Sequence, residues 1–187
     1  SFWELLALTS VFQTWARKNP ESYGAGQRYL MFHILSGLLL LGGVALHYKQ
    51  TGSLIVQQLQ LGGTASWLIF LAIGIKCSFP GLHTWVVDAY PAATPTGTVF
   101  MCCFTTKTAI YTLARTFAGE ELLIWIGGAM AIFPIFYAVI ENDLRRVLGY
   151  SMINQLGYMV VGIGIGTSLS LNGTCAHVFA HVFYKSL

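Results

Sequence analysis

Charge is what this chain has least of: Asp, Glu, Lys and Arg make up 9% of its 187 residues, against about 25% in an ordinary soluble domain. That shortage, beside 55% hydrophobic residues, excludes a water-soluble globular fold. Basic runs are also missing, so the net charge of +3 marks neither a nucleic-acid surface nor a lipid-headgroup patch, and no polyanion partner is expected. The four cysteines, Cys77, Cys102, Cys103 and Cys175, sit in apolar stretches without C-x-x-C spacing. A disulfide framework and a zinc site are therefore not expected, and the thiols read as small packing groups. The chain lacks an initiator Met and the basic, apolar and small-residue succession of a signal peptide. It opens at Ser1 and closes at Leu187 inside apolar runs, and reads as an internal stretch of a longer protein.

What is present is a series of apolar runs of membrane-crossing length. With about 20 residues per crossing, the expected spans cover residues 1–16, 28–47, 65–82, 96–116, 121–140, 147–166 and 172–187. The expected fold is all-α, a polytopic bundle of transmembrane helices in the lipid bilayer. Polar links separate the runs: Arg17-Lys18-Asn19-Pro20-Glu21 with Gly24 and Gly26, Lys49 to Gly63, Thr84 to Pro95, Gly119-Glu120-Glu121, and Glu141 to Arg146. Alternate threading puts Arg17, Lys18, Arg28, Arg145 and Arg146 at one face and Lys49 and Arg115 at the other. The positive-inside rule makes the first face cytoplasmic.

Several ionisable residues then fall inside the membrane. At 1.5 Å rise per residue in a core about 30 Å thick, Glu4, Lys76 and Lys107 lie roughly 16–18 Å deep. A lysine at that depth costs about 2.5–3.5 kcal/mol on insertion scales, so it is seldom kept without a partner or a task. His177, His181 and Lys185 recur at i, i+4 and i+8 and share one helix face. Burial disfavours a lysine's charged form and a nearby carboxylate favours it, so a lysine under both influences can exchange protons near neutral pH; histidine titrates there unaided. The set suits a proton relay. Other readings stay open: Glu4 and Lys76 as a static ion pair, His181 as a core histidine, and His177 with His181 as half of a metal site. The last lacks a third ligand and the glutamate of H-E-x-x-H, so no metal is expected.

The third span is interrupted. Pro80-Gly81 follows Lys76 and ends a regular helix, and His83, Asp88, Pro91 and Pro95 come next. A helix broken at depth beside an ionisable residue is how transporters open backbone polar groups onto an ion path; a plain helix end with a Pro-rich loop is the alternative. Gly162, Gly164 and Gly166 imitate part of a dinucleotide fingerprint but belong to an apolar span, where small residues allow close helix packing. No cofactor is expected. Asn172-Gly173-Thr174 matches a glycosylation acceptor, and nothing else in the chain argues for one.

Taken together and in order, these stretches resemble a known family, the antiporter-like proton-conducting subunits shared by multisubunit Na⁺/H⁺ antiporters and respiratory NADH:quinone oxidoreductase. Phe2-Trp3-Glu4-Leu5 resembles its glutamate-bearing helix. Gly74-Ile75-Lys76 through Leu82-His83-Thr84-Trp85 and Asp88-Ala89 resembles its broken helix. Thr106-Lys107-Thr108-Ala109-Ile110-Tyr111 with Arg115 resembles the next one. Asp143-Leu144-Arg145-Arg146-Val147-Leu148-Gly149-Tyr150-Ser151 with Gly157-Tyr158, and His177 to Lys185, complete the series.

The resemblance implies a protein of about fourteen spans built as two inverted five-helix repeats. Residues of about 1–116 would belong to the first and about 121–187 to the second. It implies that Glu4 tunes Lys76, that Lys76 is the central proton carrier, that Lys107 connects, and that His177, His181 and Lys185 lead toward the second half-channel. Pro80, Gly81 and His83 would form the break. The last carrier would lie on a later broken helix outside this stretch.

Two departures stand out: Val86-Val87-Asp88 where many members have a proline before the aspartate, and Asn154-Gln155 in place of Ser-His. Ile140 to Arg146 and Asn154-Gln155-Leu156-Gly157 look closer to the D-type antiporter subunits of bacteria. The expected function is thus proton translocation in a Na⁺ or K⁺/H⁺ antiporter, with other membrane subunits as partners, in the bacterial inner membrane. It is expected to be no enzyme in itself. The alternatives are a proton-pumping subunit of a respiratory or hydrogenase-linked redox complex, and a structural subunit with static charge pairs.

Overall fold

A computed structural model describes residues 2–186; Ser1 and Leu187, the outer limits of the first and last expected spans, lie outside the described residues. The described residues form eight helices and no strand: α1 Phe2–Trp15, α2 Pro20–Thr51, α3 Thr64–Lys76, α4 Thr84–Ala92, α5 Pro95–Thr116, α6 Glu121–Ile140, α7 Leu144–Ile165 and α8 Ser168–Ser186. Counting α3 and α4 as halves of one crossing, the order and number of expected spans hold.

Large apolar side chains face outward, among them Met31, Leu38 and Leu41 on α2, Phe100 and Phe104 on α5, and Phe136 and Val139 on α6, while Lys76, Lys107, His33 and His181 are buried. This inverts the arrangement of a water-soluble protein and fits a bundle surrounded by lipid. Two helices, α2 and α6, are long and apolar enough to cross a bilayer on length and composition alone. Helices α5 and α7, of 22 residues each, have the length but carry polar side chains that turn inward.

The boundaries correct the sequence reading in three places. Helix α2 starts at Pro20, not near Arg28, because Asn19 caps it: the Ser22 hydroxyl and the Asn19 backbone exchange hydrogen bonds of 3.1 and 2.7 Å, and Pro20 takes the first helical position, where its missing N–H costs nothing. Its 32 residues extend about 48 Å, longer than the hydrocarbon core. Helix α7 starts at Leu144, since the Asp143 carboxylate accepts from Arg145 N at 2.9 Å, as an N-cap does. The third correction matters most: Thr84–Ala92 is a helix and not part of a polar link. Trp85, Val86, Ala89 and Tyr90 are buried on one side of it, at helical spacing.

The break between the half-helices begins four residues before Pro80. Phe79 N bonds Gly74 O at 3.0 Å and Ser78 N bonds Ile75 O at 3.2 Å, the paired bonds that end a helix with one left-handed residue. That residue is Ser78, with φ of 63°, where glycine is usual. The Phe79 ring folds back over Gly74: a Cβ there would meet it at 2.8 and 3.2 Å. Gly81, with φ of 83°, makes the second reversal, and Trp85 Nε1 donates to Ile75 O at 2.9 Å, satisfying a carbonyl that the helix end leaves open.

Small residues bring the second half together. A Cβ on Gly127 or Gly157 would fall within 2.8 Å of the facing backbone, and one on Gly164 within 2.8 Å of Ile124, so α6 and α7 touch backbone to backbone. At one end, Arg17 and Arg145 both donate to Pro91 O, at 2.8 and 3.3 Å. At the other, Leu59 N bonds Thr116 O at 2.6 Å and Gly119 N bonds Ile163 O at 3.0 Å. The arginine-rich links therefore gather at one end, as the threading requires.

Two expected outcomes follow from the break and its clamp. Ser78→Gly should leave the assembled protein's thermal stability unchanged or raise it by about 1 kcal/mol, whereas Gly74→Ala should lower it by roughly 1–3 kcal/mol by overpacking against Phe79. Arg17→Ala and Arg145→Ala should each cost little, because the other guanidinium still reaches Pro91 O, and together more than their sum, by about 0.5 kcal/mol or more. Thermal melts of the single and double variants check both.

Candidate functional site

Lys76 ends α3, and its side chain is wholly buried. Its Nζ lies 4.7 Å from the centre of the Trp3 ring on α1, a cation–π distance, and it has no hydrogen-bond partner among the described residues. The Glu4 carboxylate, one residue along α1, acts electrostatically on Lys76. Glu4 packs against α2 where Gly37 leaves space; a Cβ there would stand 2.9 Å from Glu4 Cγ and 3.0 Å from Oε1. Three helices thus converge on the lysine that precedes the break. Pro80, Gly81 and His83 all lie in the break, and the His83 ring rests 4.7 Å from that of Phe133 on α6.

Lys107 belongs to a second group. It is 7% exposed, and its Nζ donates to Cys102 O at 2.7 Å and reaches Thr106 Oγ1 at 3.5 Å. Lys107 acts electrostatically on His177 and His181 of α8 and on Lys185. The expected common face exists: His181 is fully buried, its ring centre is 6.2 Å from that of His177, and Lys185 Nζ donates to Ser151 Oγ on α7 at 2.9 Å. The Asn154-Gln155 departure has a structural use here. Asn154 Nδ2 donates to Ala131 O on α6, and Gln155 Oε1 accepts from Tyr184 OH at 3.2 Å, so α7 is tied to both neighbours. Beside Lys185 a cavity of about 240 Å³, lined by Tyr90, Thr98, Cys102, Arg145 and Met152, runs from the arginine-rich end.

The structure therefore divides the expected residues into one group around Glu4 and Lys76 and another around Lys107, His177, His181 and Lys185. Between them stand side chains that the sequence reading passed over. His33 on α2 is 1% exposed and feels the charge of Lys76; its ring is 4.1 Å from Tyr29 and 4.7 Å from Trp85. The Tyr29 hydroxyl faces Ser10 and Thr105 without a hydrogen bond of full geometry to either. A histidine inside an apolar run was the available signal.

A family model described as NADH:quinone oxidoreductase/Mrp antiporter, TM matches residues 1–187. The chain belongs to this family. NADH-quinone oxidoreductase subunit N of Desulforudis audaxviator is 31% identical over 186 residues, covering 88% of this chain and 37% of that protein. One of the Na(+)/H(+) antiporter subunits of Alkalihalophilus pseudofirmus is 28% identical over 186 residues, covering 89% of the chain and 23% of that protein. Among solved structures, the Mrp complex from a Dietzia species superposes with a TM-score of 0.82 at 25% identity over 89% of this chain and 34% of the matched one. Respiratory complex I from Thermus thermophilus gives 0.83 at 25% over 98% and 44%. The chain spans well under half the length of these relatives. Family and fold place it among the multi-pass, antiporter-like subunits that Mrp antiporters and redox complexes share.

The Gly37 contact generates a prediction. Gly37→Val crowds the Glu4 carboxylate and moves it relative to Lys76. Proton transport by the assembled protein should fall about tenfold or more, a change of roughly 1.4 kcal/mol in the limiting barrier, with α-helical content unchanged by circular dichroism.

Proposed function

We propose that the chain forms part of a proton-translocating subunit of a monovalent cation/proton antiporter in a bacterial inner membrane, exchanging Na⁺ or K⁺ for H⁺ beside other membrane subunits. The observation that carries this reading is Lys76, buried to 0% exposure at the end of a broken helix, with the Glu4 charge beside it. Lysine in such a place keeps both protonation states within reach: burial favours the neutral amine and the carboxylate favours the ammonium. A movement of Glu4 toward or away from Lys76 would tip the balance and drive a proton off or on.

Under this reading Lys107 takes over the proton, and His177, His181 and Lys185 carry it along α8. The cavity between Arg145 and Lys185 gives that group a path to the arginine-rich, cytoplasmic end. Pro80, Gly81 and His83 supply the flexible break, so that α4 can adjust without unfolding α3. The inverted repeats, about 1–116 and about 121–187, would relate this group to a counterpart beyond the chain. The likeness of Ile140 to Arg146 and Asn154 to Gly157 to D-type subunits supports an antiporter.

A second reading, a proton pump in a redox complex, is favoured by the 31% identity to an NADH-quinone oxidoreductase subunit. The two differ in what drives the proton. The test uses everted vesicles holding the full-length protein with its partner subunits, a pH-sensitive dye, and Lys76→Ala and Glu4→Ala variants. An antiporter dissipates an imposed pH gradient when Na⁺ or K⁺ is added; Lys76→Ala should abolish the response, and Glu4→Ala should slow it about tenfold or more. Acidification driven by NADH, indifferent to the cation and lost in Lys76→Ala, would assign the redox pump instead. Undiminished flux in a folded Lys76→Ala protein would leave only a static role for the buried charges.

A further inference from the structure

The lysine at the break and the lysine on α5 are joined by buried polar side chains on α2 and α5 that no part of the foregoing scheme uses. Their register is fixed by one bond. Ser36 Oγ of α2 donates to Ala72 O of α3 at 2.7 Å. The two helices run antiparallel, so three residues back on α2 stands level with about four residues forward on α3. That brings His33 beside Lys76, and the electrostatic action of Lys76 on His33 agrees.

From His33 the polar groups continue sideways. Its ring overlies Tyr29 at 4.1 Å, one turn further along α2. The Tyr29 hydroxyl faces Thr105 on α5, the Thr105 and Thr106 hydroxyls both act on Tyr90, and Thr106 Oγ1 is 3.5 Å from Lys107 Nζ. Lys76 Nζ, both ring nitrogens of His33, the Tyr29 hydroxyl and Thr105 Oγ1 are buried and lack a hydrogen-bond partner among the described residues. Orphaned polar atoms in this number are unusual in a folded core, where such groups bond to protein or to ordered water. Set in one line, with a lysine at either end, they make a path that water can complete.

We propose that His33 is a proton-carrying residue between Lys76 and Lys107, passing the proton on along the Tyr29, Thr105 and Thr106 hydroxyls. The inference rests on the proposed proton-translocating function. In the transfer, one imidazole nitrogen gains a proton from the Lys76 ammonium through water while the other releases one toward Tyr29. Each hydroxyl gives up its own proton as it takes the next. The net change is a neutral amine at Lys76 and an ammonium at Lys107, with no bond to carbon made or broken. Lys76 on one side is the charged group facing His33, and the Tyr29 and Trp85 rings pack on the rest of it. The competing role is that of an aromatic spacer in the Tyr29, Trp85 and Tyr90 stack.

The test uses the full-length protein with its partner subunits in everted vesicles, with Na⁺ or K⁺ pulses, or NADH should that prove the driver, and the dye readout. His33→Phe keeps the aromatic contacts and removes the nitrogens. Flux should fall about tenfold or more, the slowing in D₂O should grow, and the melting temperature should stay at the wild-type value. His33→Gln, which can still hold water but does not titrate at working pH, should fall between. Wild-type flux in folded His33→Phe, alongside loss of flux in Lys76→Ala, overturns the inference and leaves the proposed function standing; wild-type flux in Lys76→Ala overturns both. Should His33→Phe fail to assemble, Tyr29→Phe decides: reduced flux with a larger D₂O effect supports the path, and unchanged flux contradicts it.

Discussion

Burial of the Lys76 ammonium is the constraint on which the rest of the arrangement depends. A helix that ran on past this residue would have closed its backbone bonds and left the lysine to face packed apolar side chains. Instead α3 stops at Lys76, the chain turns through Ser78 and Gly81 in left-handed conformations, and α4 resumes with Trp85 bonded back to Ile75 O. The ring of Trp3 and the charge of Glu4 come from α1, and α2 contributes Gly37 to make room for Glu4 and His33 to stand beside the lysine. Each of these compensates a cost that one charged group imposes on an apolar interior.

A single buried lysine could be a static device. Here the polar groups extend in a line across the bundle: Lys76, His33, Tyr29, Thr105, Thr106 and Lys107, then His177, His181 and Lys185. Helix propensity and packing demand none of them, and an apolar residue at each position would pack as well. Their continuity, between outward faces made of Leu, Ile, Phe and Met, is what gives the proton-conducting reading its force. The close backbone contact of α6 with α7, and the ties from Asn154 and Gln155, hold α8 at a fixed distance so that its histidine face meets Lys107.

Much of this was legible in the amino-acid order. Apolar runs located the crossings, Pro80 and Gly81 marked the interruption, and the spacing of His177, His181 and Lys185 put them on one face. The common face and the placement of all three break residues agree with that reading. What failed did so for physical reasons. Thr84 to Pro95 read as a loop because it holds Asp88 and two prolines, yet Asp88 pairs with Arg28 at 2.8 Å and Pro91 sits in the last turn of α4, where its carbonyl is free for two guanidiniums. Pro20 read as a breaker but starts a helix, because Asn19 before it is a cap. His33 escaped notice since an apolar run of that length gives no clue to which face is inward; the face is set by the Ser36 bond to α3, a tertiary contact. The same holds for the division of the ionisable residues into two groups, which equal depths along separate helices could not reveal.

The measurement that tests the central claim most directly is nitrogen-15 magnetic resonance of the Lys76 side chain, isotope-labelled in the full-length protein assembled with its partners, followed over the working pH range with Glu4 and with Glu4→Gln. The account predicts that amine and ammonium forms are both observed for Lys76 and that their proportion changes when the Glu4 charge is removed. A Lys76 signal of one form at every pH, unaltered by Glu4→Gln, would contradict it.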